Sequence, residues 1–341
     1  MLFQENGADF GIGPFTGPIA MGSSAALADL GNDGNTDLFV PNAAGVPDQL
    51  YRNEAGRLVE VGALLCVDST RNNRVALFFD FNGDNRLDLL VGADCFMRPA
   101  DCADQRTLSL YEQKPDGSFA DVSDSTGLTG LLPLTEAQHL GGFAAGDLDS
   151  DLDVVQSTVG GPLRLLENTS DNANHWLSIR PRSQTRNRRA IGATVRVRAG
   201  GLNMTRPITA GMSFLGQEPA EAFLGLGVAA QADSVIIEWP DGSQTSLSNV
   251  SADQQLDVMQ NGCSEMSQAC ICGDYNEDGS LTSMDIGGVA MCANGMVLCD
   301  SSLVDTDGDR STTALAIGGV VTTVAGNLPA APLRCDRNPA P

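Results

Sequence analysis

The sequence predicts a mainly β protein in three parts: propeller-like blades, a β-sandwich-type domain, and a small cysteine-rich region. Three observations carry this. Short acidic runs containing Gly and Asn recur in the first 170 residues, each followed by an apolar run of β type. Alternation of apolar and polar residues then takes over at Ala193-Thr-Val-Arg-Val-Arg198 and Ser234-Val-Ile-Ile-Glu-Trp239. Finally, six of the nine cysteines crowd between residues 263 and 335. Strict alternation is the mark of a half-buried strand, and short strands recurring with polar turns read as blades.

The repeat is explicit. Asp29-Leu-Gly-Asn-Asp-Gly-Asn-Thr-Asp37 precedes Leu-Phe-Val. Asp80-Phe-Asn-Gly-Asp-Asn-Arg-Leu-Asp88 precedes Leu-Leu-Val, and Asp147-Leu-Asp-Ser-Asp-Leu-Asp153 precedes Val-Val. These runs start 51 and 67 residues apart. A second phrase recurs between them as Leu50-Tyr-Arg-Asn53 and Leu110-Tyr-Glu-Gln113, with a shorter copy at Leu165-Leu-Glu-Asn168. The expected organisation is about three blades over 1–172, the alternating β domain over 173–261, a duplicated region over 262–328, and a Pro/Ala-rich tail over 329–341.

Composition narrows the function. The 341 residues carry 43 acidic and 20 basic side chains, a net charge of −23. Such a surface repels nucleic-acid phosphates and anionic lipid, so neither is an expected partner. No apolar run approaches the ~20 residues of a membrane span. Of the cysteines, only Cys270-Ile-Cys272 forms a tight pair, and neither His139 nor His175 is near it. Disulfides are therefore expected over a zinc site, which implies an oxidising compartment. The bridges would use Cys263, Cys270, Cys272, Cys292, Cys299 and Cys335, in one of fifteen pairings. Cys95 and Cys102 are expected to form a local bridge, leaving Cys66 over. The opening Met-Leu-Phe-Gln-Glu-Asn-Gly has no basic or apolar leader character, so the secreted reading expects an export signal outside this chain.

The acidic runs have the chemistry of calcium loops. Calcium takes six to eight oxygens at loose geometry, so carboxylates and amides at alternate positions of a short loop can wrap it. Asp80, Asn82, Asp84 and Asp88 fit this, with the Arg86 carbonyl as a backbone ligand. This run resembles the FG-GAP/VCBS calcium loop of integrin-type propellers. In the first copy Gly31 replaces a ligand, leaving Asp29, Asp33, Asp37 and the Asn35 carbonyl. The third copy is two residues short and keeps Asp147, Asp149, Asp151 and Asp153. The competing reading is an acidic turn on a solvated face.

A different loop occupies the C-terminal region. Asp274, Asn276, Asp278, the Ser280 carbonyl, Thr282 and Asp285 stand at positions 1, 3, 5, 7, 9 and 12, with Gly279 at the sharp turn. The run resembles an EF-hand loop with Asp in place of the final Glu, as in bacterial dockerins. A copy 31 residues on keeps Asp305, Asp307 and Asp309, but has Arg310 at the turn and Ala316 at the last position. The resemblance implies a small disulfide-rich α dockerin-like domain that docks on another protein.

In the middle region, Asn174-His-Trp-Leu177, Asn187-Arg-Arg-Ala-Ile-Gly-Ala193, Gly211-Met-Ser-Phe-Leu-Gly-Gln217, Phe223-Leu-Gly-Leu-Gly227 and Glu238-Trp-Pro-Asp-Gly242 resemble the ASPIC/UnbV domain. That domain follows VCBS-type blades in relatives of cartilage acidic protein, and it brings architecture rather than an activity. Trp176 and Trp239 are read as core residues. Arg180, Arg182, Arg186, Arg188, Arg189, Arg196 and Arg198 concentrate cation in an acidic protein. Guanidinium forks suit an anionic glycan or a neighbour's acidic face. The competing reading, intramolecular pairing, is favoured.

No nucleophile elbow, zinc-protease helix or phosphate loop is present, and both histidines lie in separate modules. The expected function is a secreted, calcium-binding, non-catalytic structural or interaction protein. Its partner would be a protein, foremost further copies of itself in an extracellular fibre or layer. The alternative is a cell-adhesion or carrier module for a glycan or a cohesin-like receptor.

Overall fold

The computed structural model describes residues 7–12, 24–43, 45–93, 106–131, 134, 138–170, 172–183, 186–211, 213 and 216–260. The chain divides into two compact units, Met1–Leu256 and Asp257–Pro341, and the site discussed below lies in the first. The architecture is mainly β, with five sheets among the described residues. Among the described residues no helix is long and apolar enough to cross a membrane.

Three sheets form the blades. β1 (Ala26–Ala28), β2 (Asp37–Val40), β3 (Gln49–Glu54) and β4 (Arg57–Glu60) pair in sequence order as the first. β5 (Asn73–Phe79), β6 (Asp88–Ala93), β7 (Leu108–Gln113) and β8 (Phe119–Asp121) form the second. β9 (His139–Asp147), β10 (Leu152–Val159) and β11 (Arg164–Leu166) form the third, which has three strands. Tight turns connect neighbours: Ala55 and Gly56 both take positive φ between Glu54 and Arg57, as a two-residue hairpin of this twist requires.

The second blade explains the long apolar runs of its strands. It is covered on both faces, so both sets of alternating side chains are buried. Ala76, Phe78, Leu89 and Val91 pack with Leu30, Phe39 and Leu50 of the first blade. Val75, Leu77, Phe79 and Leu90 pack with Leu140, Phe143, Leu152 and Val154 of the third. Phe39 and Phe78 meet edge to face, 6.2 Å between centroids. At Gly92 a Cβ would come within 2.7 Å of Leu140 and Phe143, so glycine permits the close approach of blades two and three.

The remaining strands form the sandwich-type domain. β12 (His175–Arg182) lies between β15 (Ala222–Gly227) and β18 (Gln254–Met259) in one sheet. The other runs β14 (Leu202–Pro207), β13 (Thr194–Ala199), β16 (Gln231–Glu238), β17 (Gln244–Ser251). Along β13 alternation is strict: Val195, Val197 and Ala199 are buried, and Arg196 and Arg198 point to solvent. Trp239 is 3% exposed and donates Nε1–H to Thr245 Oγ1 at 2.9 Å, as a core tryptophan should. Trp176 departs from the core reading. It is only half-buried and lines a groove, because β12 begins at the border with the blades.

Candidate metal centre

Each acidic run is the hairpin loop between the first and second strands of its blade. The strands close around it with Ala28 opposite Asp37, Phe79 opposite Asp88, and Asp147 opposite Leu152. The first two loops are the same object. Positive φ falls at Asn32 and Gly34 in one and at Gly83 and Asn85 in the other, which turns amides inward. Asp29 Oδ1 and Oδ2 accept from Asp33 N (3.0 Å) and Gly34 N (2.9 Å). Asp80 Oδ1 and Oδ2 accept from Asp84 N (3.1 Å) and Asn85 N (2.8 Å).

The last aspartate of each run has a structural task. Asp37 accepts from Leu30 N (3.0 Å) and, across the blade, from Asn53 N (2.7 Å). Asp88 accepts from Phe81 N (3.2 Å) and Gln113 N (2.8 Å). Asp153 accepts from Asn168 N at 2.8 Å. Asn53, Gln113 and Asn168 are the fourth residues of the recurring Leu-Tyr phrase. The two sequence repeats are thus halves of one fastening, in which the acid staples the third strand to the loop.

Arginines add a second layer in these two loops. Arg52 Nε stands 3.6 Å from Asp37 Oδ2, and a Cβ on Gly31 would meet Arg52 Nη2 at 2.8 Å. The guanidinium therefore fills the space of the missing ligand. Arg86 pairs with Asp84. Asn82 Oδ1 is taken by Asp84 N at 3.1 Å, and Asp33 Oδ1 by Asn35 N at 2.8 Å. Burial, then the Asp84 charge, pushes Asp80 up to about 6, while Arg206 and two amides pull the other way. Burial likewise raises Asp37 and, further, Asp88, where the Asp80 charge adds to it.

Arg206 was invisible to motif reading, because a single arginine in a β run carries no signal. It is 8% exposed and sits between the first two loops, facing Asp80 and Asp29. Its Nη1 donates to Asn32 Oδ1 (3.2 Å) and Thr205 O (3.0 Å), while Nε and Nη2 are buried with no partner. It shares a cavity of about 90 Å³ with Glu218, whose Oε1 is also buried and unpartnered.

The third loop is different. Asp149, Asp151 and Asp153 bring one oxygen each within 4.8 Å of one another, and among the described residues no other group of three acids or histidines does so. Only one positive-φ residue, Ser150, turns this shorter loop, and its amide goes to Asp147 Oδ1 at 2.7 Å. Asp151 Oδ1 and Asp153 Oδ2 are buried and accept nothing. Asp153 is 2% exposed. Burial, followed by the charges of Asp149, Asp153 and Asp147, pushes Asp151 up to about 6. Orphaned buried carboxylate oxygens beside like charges are the arrangement that a hard dication relieves, so these residues fit calcium.

The third loop opens on a groove of about 610 Å³ that also takes in Asn82, His175, Trp176 and Asp253. Asn172 and Asn174 both donate Nδ2–H to Asn82 O at 2.9 Å, fastening the start of the sandwich domain to the second blade. β15 passes so close that a Cβ on Gly225 would lie 2.3 Å from Asp80 Oδ2 and from the Gly83 carbonyl carbon. Of the clustered arginines, Arg196 pairs with Glu238 (3.3 Å) and Arg198 approaches Asp233 (3.9 Å), both at the surface. Cys66 is free and exposed. The loops at Asp274–Asp285 and Asp305–Asp309, the cysteines from Cys263 onward, and Cys95 and Cys102 lie outside the described residues.

Comparison with known families finds two matches. The family described as FG-GAP-like repeat matches residues 29–91, from the first acidic loop through most of β6. The family described as ASPIC and UnbV matches residues 183–265. No curated protein matches the chain. The chain is therefore similar to FG-GAP repeats over its first blade and part of its second, and to ASPIC and UnbV domains over most of its sandwich.

Proposed function

We propose that the chain is a secreted, non-catalytic interaction module whose third blade takes calcium through Asp149, Asp151 and Asp153. The carrying observation is the pair of buried, unpartnered oxygens, Asp151 Oδ1 and Asp153 Oδ2, in a group of three carboxylates. The two family matches support an extracellular-type interaction role, and the C-terminal loops extend the same calcium chemistry. Calorimetric titration of the chelator-treated chain with calcium is the test. Asp151→Asn should remove one binding event, and an unchanged isotherm would refute the assignment.

A second reading, assembly through copies of the chain, is favoured by the third blade. Among the described residues its β11 has a single strand neighbour, where β3 and β7 each have two. Around it Val159, Leu163 and Leu165 are 57%, 69% and 54% exposed. An open strand edge with apolar side chains recruits a further strand. Light scattering across a concentration series tests it, and a strict monomer throughout would exclude it.

A further inference from the structure

The groove beside the third loop has the parts of a ligand site. Ligand sites concentrate at junctions between domains, and this groove lies where the blades meet the sandwich. Asp149 and Asp151 lie on its blade side, and His175, Trp176 and Asp253 on its sandwich side. Trp176 stacks on Phe223, with centroids 5.5 Å apart and planes 9° from parallel. Both rings are half-buried and both line the groove, so together they form an apolar plate in its wall. Asp253 fixes the other side. Its Oδ1 accepts from Trp176 N at 3.3 Å and its Oδ2 holds His175 Nδ1 at 2.7 Å, which leaves Nε2 for another partner.

Three observations define the ligand. Calcium at the third loop would not be saturated by three carboxylates, and the exposed Asp149 marks the side on which positions stay open. Those positions take oxygens. The walls carry Asp149, Asp151 and Asp253 without a free arginine or lysine among the lining residues, so a ligand with its own negative charge is repelled. The aromatic plate asks for a flat apolar face. A sugar ring joins all three: paired hydroxyls, no charge, and a face of C–H groups.

We infer that the groove binds a neutral saccharide, two adjacent hydroxyls completing calcium coordination at Asp149 and Asp151 while the ring lies on Trp176. Asp153, buried at 2% exposure with an unpartnered Oδ2, is the fixed floor of that site. The inference rests on the calcium reading above. It also separates this site from a basic peptide, which would bind the bare carboxylates directly and be displaced by calcium.

The test uses the full chain on a glycan array, followed by titration calorimetry with free mannose, galactose and fucose, in calcium and in chelator. The expected result is retention of neutral glycans in calcium only. Trp176→Ala should weaken saccharide binding about tenfold or more while leaving calcium affinity in place. His175→Ala, at a side chain 32% exposed, is the milder companion should the tryptophan variant fold poorly. Calcium binding with no saccharide bound would overturn the inference and leave the metal reading intact. Saccharide or lysine-peptide binding that persists in chelator would also overturn it. A chain that binds no calcium at the third loop would overturn both.

Discussion

The second and third acidic loops begin from the same kind of sequence and end with different hydrogen-bond partners. In the second, five backbone amides are directed at Asp80, Asp84 and Asp88, and Arg86 adds its guanidinium to Asp84. In the third, two amides serve the four acids from Asp147 to Asp153. The difference is length. A nine-residue loop with two positive-φ residues has inward amides to spare, whereas a seven-residue loop does not. Deleting two residues while keeping the acids leaves buried carboxylate oxygens without amide partners.

The sharpest way to break the comparison is to remove the staple. Asp88 is fully buried, and its two oxygens hold Phe81 N and Gln113 N. Asp88→Ala strands both amides inside the protein and should destabilise it by about 3–5 kcal/mol, with or without calcium. Denaturant melts in chelator measure this, and a loss below ~1 kcal/mol would mean that the staple is not structural. Asp153→Asn is the contrast. In chelator it should be near neutral, because it removes a charge that presses on Asp151.

Calcium itself should produce the next effect. Binding to the folded state alone adds ~2.7 kcal/mol per site at a hundredfold excess over the dissociation constant. Wild type should therefore melt several degrees higher in calcium than in chelator. Asp151→Asn should lose the increment of the third loop, and Asp84→Ala should keep it. Equal losses in the two variants, read by scanning calorimetry, would erase the distinction between the loops.

A smaller effect probes the contact between the second loop and the sandwich. Gly225→Ala places a methyl 2.3 Å from Asp80 Oδ2 and the Gly83 carbonyl carbon. Overpacking of this kind typically costs about 1–3 kcal/mol. Calcium affinity at the third loop should change too, because Gly83 and Asp151 line one groove. If titration calorimetry finds it unchanged, the groove walls are independent of each other.

Much of this was legible in sequence. The blade repeat, the two-face burial of β5 to β7 and the alternation of β13 all follow from periodicity, because a strand reports its neighbours through which faces are apolar. The recurring Leu-Tyr phrase was visible, but not its purpose. Its hydrogen bond to the acid comes from a backbone amide, and amides leave no residue signature. The state of each loop was equally hidden, since it depends on how many amides point inward rather than on how many acids are present. Arg206 and the groove at Trp176 need the sandwich and the blades to be in place together. No local pattern encodes that meeting.

The calcium-free chain should also show a dependence on pH that arises away from the loops. Asp48 is 1% exposed, and burial pushes it up to about 8 despite hydrogen bonds from Asn42 N (2.7 Å) and Asn73 Nδ2 (2.5 Å). Burial likewise pushes Glu218 up to about 7. Their ordinary values are 3.8 and 4.5, so above those values the unfolded chain has released protons that the folded chain still holds. Stability then falls as pH rises, through a window from roughly 4 to 8. In chelator the melting temperature should therefore drop by a few degrees between pH 5 and pH 8. The net charge of −23 pushes the same way through self-repulsion, so the slope alone does not identify the groups. Asp48→Asn does. It keeps an acceptor for the Asn42 amide, cannot ionise, and should flatten the upper part of the slope while leaving the net-charge contribution in place. A slope unchanged by this substitution, or a melting temperature that climbs with pH in chelator, would remove Asp48 from the account.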